Sequence, residues 1–199
     1  ILIMKYFFIF LKKIIIIALF FSFFSFSIIL FFLWKYTPEL PSYEELKNYN
    51  PNLSSRVFTS DGVLLDKYFI EERIFVPIDR IPNNLINAFM SAEDKNFFSH
   101  KGIDPLAIIR AIYTNLFNKI TKKRMIGAST ISQQVVKNLL LTNEISLERK
   151  FKEIVLAIRI ENILSKKNIL ELYLNDIYLG YGSYGVASAS MNYFNKALN

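Results

Sequence analysis

Gly127-Ala128-Ser129-Thr130-Ile131-Ser132-Gln133-Gln134-Val135-Val136-Lys137-Asn138 reads as a glycine turn feeding a helix, and the rest of the chain is understood outward from it. Thr130 and Gln133 have the spacing of a capping box. Thr130, Gln134, Lys137 and Asn138 then recur at i, i+4, i+7 and i+8 as a polar stripe, with Val135, Val136, Leu139 and Leu140 opposite. A stripe of neutral donors and one cation, beside the free amides of a helix start, suits a phosphate or a sugar. An ordinary capped surface helix accounts for the same pattern.

Downstream, the pattern predicts helices over Ser146 to Leu164, Lys167 to Leu174 and Ala187 to Phe194, the last after a loop marked by Gly180, Gly182 and Gly185. Arg149-Lys150-Phe151-Lys152-Glu153 places three cations beside a carboxylate, for which an i,i+4 salt bridge is the default explanation. Glu171 and Asn175 suit bracing more than catalysis. Upstream, Ile108 to Phe117 is amphipathic and is followed by Lys119, Lys122, Lys123 and Arg124. That segment either touches lipid headgroups or is a core helix followed by a solvated basic loop.

Helical periods begin at Asn83, with Leu85, Ile86, Phe89 and Met90 as an apolar stripe. They lead into Ser91-Ala92-Glu93-Asp94-Lys95-Asn96-Phe97-Phe98-Ser99-His100-Lys101-Gly102, which gathers two carboxylates, two aromatics and the single histidine. If this run is helical, Glu93, Phe97 and His100 share one face and Gly102 can end the helix. Such a face could hold a general base; solvated acids and a supporting histidine are the plainer account.

From Ile14 to Trp34 there are twenty-one residues without a charge, enough for a helix to cross ~30 Å of hydrocarbon. Lys5, Lys12 and Lys13 precede this run and only Lys35 directly follows it, so the positive-inside rule predicts a cytoplasmic N-terminus and export of the remainder. Ser25-Phe26-Ser27 loosely mimics a signal-peptidase site, but Ile28 to Trp34 carries the apolar run past it, which favours an anchor. Thr37 to Leu53, with three prolines, predicts a linker, and Arg56 to Leu65 around Asp61-Gly62 a hairpin.

Composition narrows the functions. The net charge of +7 includes four lysines in the first 35 residues, which contain no acid; beyond them 20 basic residues face 17 acidic ones. The exported part is thus only mildly basic, which argues against nucleic acid as a partner and allows a local anion site. With no cysteine there is no disulfide framework or thiol nucleophile, and with one histidine a structural zinc site is disfavoured.

Taken in order, these blocks resemble the glycosyltransferase family 51 domain of peptidoglycan polymerases. Glu93-Asp94-x-x-Phe97-x-x-His100-x-Gly102 is similar to the first family motif, and Gly127-x-Ser129-Thr130-Ile131-x-Gln133-Gln134-x-x-Lys137-Asn138 to the second. Arg149-Lys150-x-x-Glu153, Ile169-Leu170-Glu171-x-Tyr173-Leu174-Asn175 and Tyr193-Phe194 resemble the remaining three. Ala128 and Ser132 depart from the usual glycine and threonine but keep small or hydroxyl character. Pro41 to Tyr68 resembles the segment that joins anchor to transferase in bifunctional class A penicillin-binding proteins. No Ser-x-x-Lys motif is present, and the transferase domain is expected to be C-terminally incomplete.

The resemblance implies a mainly α, lysozyme-like transferase domain over residues 83–199, preceded by a cytoplasmic N-terminus and transmembrane anchor over 1–35 and a linker with a small β element over 36–82. It implies polymerisation of lipid II into β-1,4 glycan with inversion at the anomeric carbon and release of undecaprenyl pyrophosphate. Glu93 is then the general base. Glu153 helps to organise the donor pyrophosphate, directly or through a divalent metal such as Mg²⁺. Substrate contacts fall to Asp94, Phe97, His100, Thr130, Gln134, Lys137, Asn138, Arg149 and Lys150, with Phe97 and His100 shaping the loop. The implied partners are lipid II, the growing glycan, the bilayer of the cytoplasmic membrane and other cell-wall synthesis proteins. Two other readings are a lysozyme-like enzyme that cleaves glycan and an inactive membrane-anchored fragment that binds wall-assembly partners.

Overall fold

The structure, a computed structural model, describes residues 2–40, 55–62, 64–68, 72–142 and 144–198. Residues 1–40 and residues 41–199 form separate compact units. In the first, helix α1 (Leu2–Tyr36) is apolar all round, with Ile16, Phe20, Phe23 and Phe24 all exposed. Such a helix needs an apolar solvent. Its segment Ile9–Tyr36 has a mean hydropathy of 2.8 and is long enough to cross a membrane, which contains the span read from Ile14 to Trp34. A 3-10 turn follows at Thr37–Glu39, and the rest of the predicted linker lies outside the described residues.

The first described residues of the second unit belong to the predicted hairpin. Strands β1 (Ser55–Phe58) and β2 (Leu64–Tyr68) pair antiparallel, with a register shift between Val57 and Phe58. Gly62 sits at φ +81° in the connecting turn, where a side chain would be strained.

Residues 72–80, within the segment expected to be a linker with a small β element, lie along the helical body. Strand β3 (Glu72–Arg73) pairs parallel with β4 (Ser183–Tyr184), and a 3-10 turn spans Ile78–Arg80. No alternation of apolar residues announces this strap; its backbone polar groups are satisfied by side chains far away in sequence. Ile74 N–H donates to Ser188 Oγ at 3.1 Å and Val76 N–H to Asn175 Oδ1 at 2.8 Å. Ile78 N–H donates to Glu171 Oε2 at 2.7 Å, and Arg73 pairs with Asp176 in a largely buried ion pair. Glu171 and Asn175 therefore brace the fold, as their sequence context suggested.

Six helices follow: α2 (Asn83–Glu93), α3 (Pro105–Ile120), α4 (Ile131–Leu140), α5 (Leu147–Glu161), α6 (Lys166–Asp176) and α7 (Val186–Phe194). Side-chain caps set four of the starts. Asp104, Thr130, Ser146 and Ser165 accept from the amides of Ala107, Gln133, Arg149 and Asn168, and the Thr130–Gln133 pair completes the predicted capping box. The core lies where α4 packs on α5 and α6, around Ile131, Val135, Val136, Leu156, Ile160 and Leu174. Helix α3 differs. Of its sixteen residues only Ala111 is buried.

Candidate active site

The run Ser91 to Gly102 is not one helix. Helix α2 stops at Glu93, Asp94 takes φ −156°, and turns closed by Phe97 N–H to Asp94 O (3.0 Å) and Ser99 N–H to Asn96 O (2.8 Å) follow. The cause is competition for the Asp94 carboxylate. It accepts from Ile131 N–H at 3.0 Å, at the start of α4, and from His100 Nε2 at 2.9 Å, and these partners lie outside any continuous helix. Glu93 thus points to solvent while Phe97, 1% exposed, enters the core, so the two do not share a face.

Gly102 ends no helix. It lies at φ +90° against α5, where an added Cβ would meet the Ala157 carbonyl oxygen at 2.6 Å, and its own carbonyl accepts the Thr130 hydroxyl at 2.6 Å. This close approach needs glycine.

An open cavity of about 660 Å³ is lined by the end of α2, the segment 124–129, one face of α4 and the first turns of α5. Glu93, Gln134, Lys137, Arg149, Lys150 and Glu153 all line it, which brings together six of the predicted site residues from three separate blocks. Gln134 Nε2 donates to Glu93 Oε2 at 2.9 Å and orients it. Among the described residues the Lys137 side chain has no hydrogen bond or ion pair.

The other carboxylate is placed differently. Glu153 is 2% exposed and accepts from Arg149 Nη1 at 3.1 Å and from Lys150 Nζ, which also binds Ser129 Oγ at 2.8 Å. The default i,i+4 salt bridge is real, and it also fixes two cations at the cavity wall.

Five of the predicted contacts lie elsewhere. Asp94, Phe97 and Thr130 are buried, and His100 is nearly so; their bonds run to one another, to α4 and to Gly102. Asn138 is exposed but does not line the cavity. Two of the amides at the start of α4 are also taken: Ile131 N–H by Asp94 and Gln133 N–H by Thr130 Oγ1. That helix end already holds an anion, the Asp94 carboxylate.

Arg124, Met125, Ile126 and Ser129 line the cavity without having been read as site residues. Two asparagines on α3 fold this loop back: Asn115 exchanges bonds with Ile126 at 2.8 and 2.9 Å, and Asn118 Nδ2 donates to Arg124 O at 2.8 Å. The basic run 122–124 was the available signal, but only these contacts turn its last member inward. Behind Glu93 lies Tyr173, whose buried hydroxyl has no hydrogen-bond partner among the described residues. Burial, and then the charge of Glu93, push that phenol well above its ordinary pKa.

The cavity carries Arg124, Lys137, Arg149 and Lys150 against Glu93 and Glu153, an excess of cations suited to a phosphate-bearing ligand. Both Glu153 oxygens are engaged by cations, and no group of three His, Cys, Asp or Glu is placed to hold a metal ion among the described residues.

Comparison with known proteins bears on the family. Residues 61–199 match the family model for transglycosylases. Penicillin-binding protein 1A of Rickettsia prowazekii (strain Madrid E) is 50% identical over 172 residues, which is 86% of this chain and 22% of the relative. The protein of that name from Aquifex aeolicus (strain VF5) is 47% identical over 84% of this chain and 23% of its own length; that from Escherichia coli (strain K12) is 44% identical over 84% and 19%. The chain thus spans about a fifth of these relatives. With the motifs in order and the family model covering most of its length, the chain belongs to the transglycosylase family.

Proposed function

We propose that the chain is a membrane-anchored peptidoglycan glycosyltransferase that polymerises lipid II. The observation that carries this is the exposed Glu93 carboxylate, oriented by Gln134 at the rim of a cavity with four cations on its walls. Glu93 takes the proton from the acceptor 4-hydroxyl as that oxygen attacks the donor C1. A sugar hydroxyl is too weakly acidic to ionise beforehand, so proton removal accompanies bond formation. The C1–O bond to pyrophosphate breaks on the opposite face, which inverts an α donor to a β product. Lys137, Arg149, Lys150 and Arg124 offset the charge that develops on the leaving pyrophosphate. Glu153 acts by holding Arg149 and Lys150 in place. No step is assigned to a metal.

The arrangement favours transfer over glycan cleavage. A glycosidase of the usual kind needs two carboxyl groups flanking the scissile bond, one of them a proton donor. Here the second carboxylate is buried and paired with two cations.

The bilayer is the second partner, met by α1 and, in the catalytic unit, by α3. Leu106, Ile109, Ile112, Tyr113, Leu116 and Ile120 are each more than 60% exposed on one side of α3, and Lys119, Lys122 and Lys123 flank its end. An apolar stripe beside a basic rim suits the interface of an anionic membrane. We place the anchor in the cytoplasmic membrane with its N-terminus inside and the catalytic unit outside.

The deciding experiment incubates the detergent-solubilised chain with labelled lipid II and resolves the products by gel. Muramidase-sensitive polymer that falls by roughly 10²–10⁴-fold in Glu93→Gln supports the reading. Polymer undiminished in Glu93→Gln, or shortened glycan in place of polymer, overturns it.

A further inference from the structure

One buried ionic cluster does not face the cavity. Glu161, at the end of α5, has a side chain only 4% exposed. Its carboxylate accepts from Ser132 Oγ at 2.5 Å in the first turn of α4, and from Lys166 Nζ at 2.6–2.7 Å in the first turn of α6. Lys166 also lies 4.4 Å above the Phe97 ring. On its other side Glu161 Oε1 faces His100 Nδ1 at 3.9 Å, a nitrogen without a hydrogen-bond partner among the described residues. The opposite ring nitrogen, Nε2, reaches Asp94, and Asp94 is the chain neighbour of Glu93.

Two handles set the position of Glu93. Its backbone is tied through the Asp94 carboxylate to Ile131 N–H, and its side chain is held by Gln134 Nε2. Both handles are anchored within residues 131–134, the first turn of α4. Glu161 braces that turn directly through Ser132 and sits behind the ring that holds Asp94. A shift of the turn would move both handles together. We infer that Glu161, with Lys166 as its counter-ion, is a positioning residue that sets the reach of Glu93 from beneath the site. This rests on the assignment of Glu93 as the base, but its structural half does not.

Two measurements on the full chain in detergent test it. The first is the steady-state kinetics of lipid II polymerisation by Glu161→Gln, which keeps the shape and removes the charge, and by Ser132→Ala, which removes one hydrogen bond. A displacement of the base without loss of substrate contacts predicts a fall in kcat of about tenfold for Glu161→Gln and about threefold for Ser132→Ala, with KM changed by less than about twofold. The second is amide hydrogen exchange, independent of activity: Glu161→Gln should speed exchange at Ile131 N–H and at Asp94 N–H, which closes the last turn of α2 on Met90 O. Unchanged exchange at Asp94, or a rise in KM that accounts for the lost activity, overturns the inference. If the unaltered chain makes no polymer, the base assignment fails by itself and the exchange at Asp94 decides the positioning.

Discussion

Helices α3 and α4 have the same kind of amphipathic sequence and opposite fates. In α4, Val135 and Val136 are buried against α5 and α6, and the polar side forms the cavity wall. In α3 the apolar side faces outward, and the polar residues Asn115 and Asn118 are used to fold back the loop that carries Arg124. Periodicity reports that an apolar face exists. What covers that face depends on neighbours that the local pattern does not contain.

The sharpest way to break this comparison is to remove a leucine from each environment. Leu156, 1% exposed beneath α4, should cost about 2–5 kcal/mol on truncation to alanine, because a cavity is left in a packed core. Leu116, 62% exposed on α3, should cost less than about 0.5 kcal/mol when truncated likewise, measured by denaturant unfolding in the same detergent. Equal losses would mean that α3 is a core helix whose cover has been misread.

Next in size is Lys137→Met on the cavity wall. Loss of a cation that meets developing charge should lower kcat by about 10²-fold, with little change in thermal stability because Lys137 makes no pairing that holds the fold. An effect confined to KM would instead make it a ground-state contact.

Ile112→Glu with Leu116→Glu sharpens the comparison from the other side. Polymerisation should fall several-fold in vesicles of anionic lipid, where the apolar stripe adds to membrane contact, and stay unchanged in detergent. A fall in both media would make α3 part of the catalytic fold and not a lipid-facing surface.

The smallest effect concerns the cap of α3. The Ala107 amide and the Asn96 side chain hold the Asp104 carboxyl below its usual pKa. Its charged form is therefore the one the fold favours, so its contribution is fully present above the unfolded value near 3.8 and is lost as pH falls through the depressed folded value. Asp104→Ala should destabilise by about 1 kcal/mol at neutral pH, with the difference from the unaltered chain shrinking on acidification. A difference that is constant down to pH ~2 would assign the effect to packing and not to the carboxylate.

Several parts of the site were legible because they are local. Thr130 and Gln133 cap a helix through bonds three residues apart, and Arg149 reaches Glu153 across one turn. The hairpin turn was legible for the same reason, since Asp61-Gly62 states its backbone geometry within four residues. The strap was not. Val76 is bonded to Asn175, 99 residues away, and nothing near Val76 in sequence signals that acceptor.

The run around Glu93 shows where the boundary falls. Residue types and spacing picked out the blocks and placed an apolar anchor before them, because capping, periodicity and hydropathy act over a few residues; the resemblance of those blocks to the family, taken in order, singled out Glu93, Gln134, Lys137, Arg149 and Glu153. Tertiary structure decided which of the acids stays exposed. Glu93 and Asp94 are adjacent, chemically alike and equally suited to a helix end, yet Asp94 is drawn under the floor by Ile131 and His100 while Glu93 remains at the cavity rim. That choice belongs to hydrogen bonds between segments brought together only when α4 packs on α5, and it separates the proposed base from the residue that holds it in place.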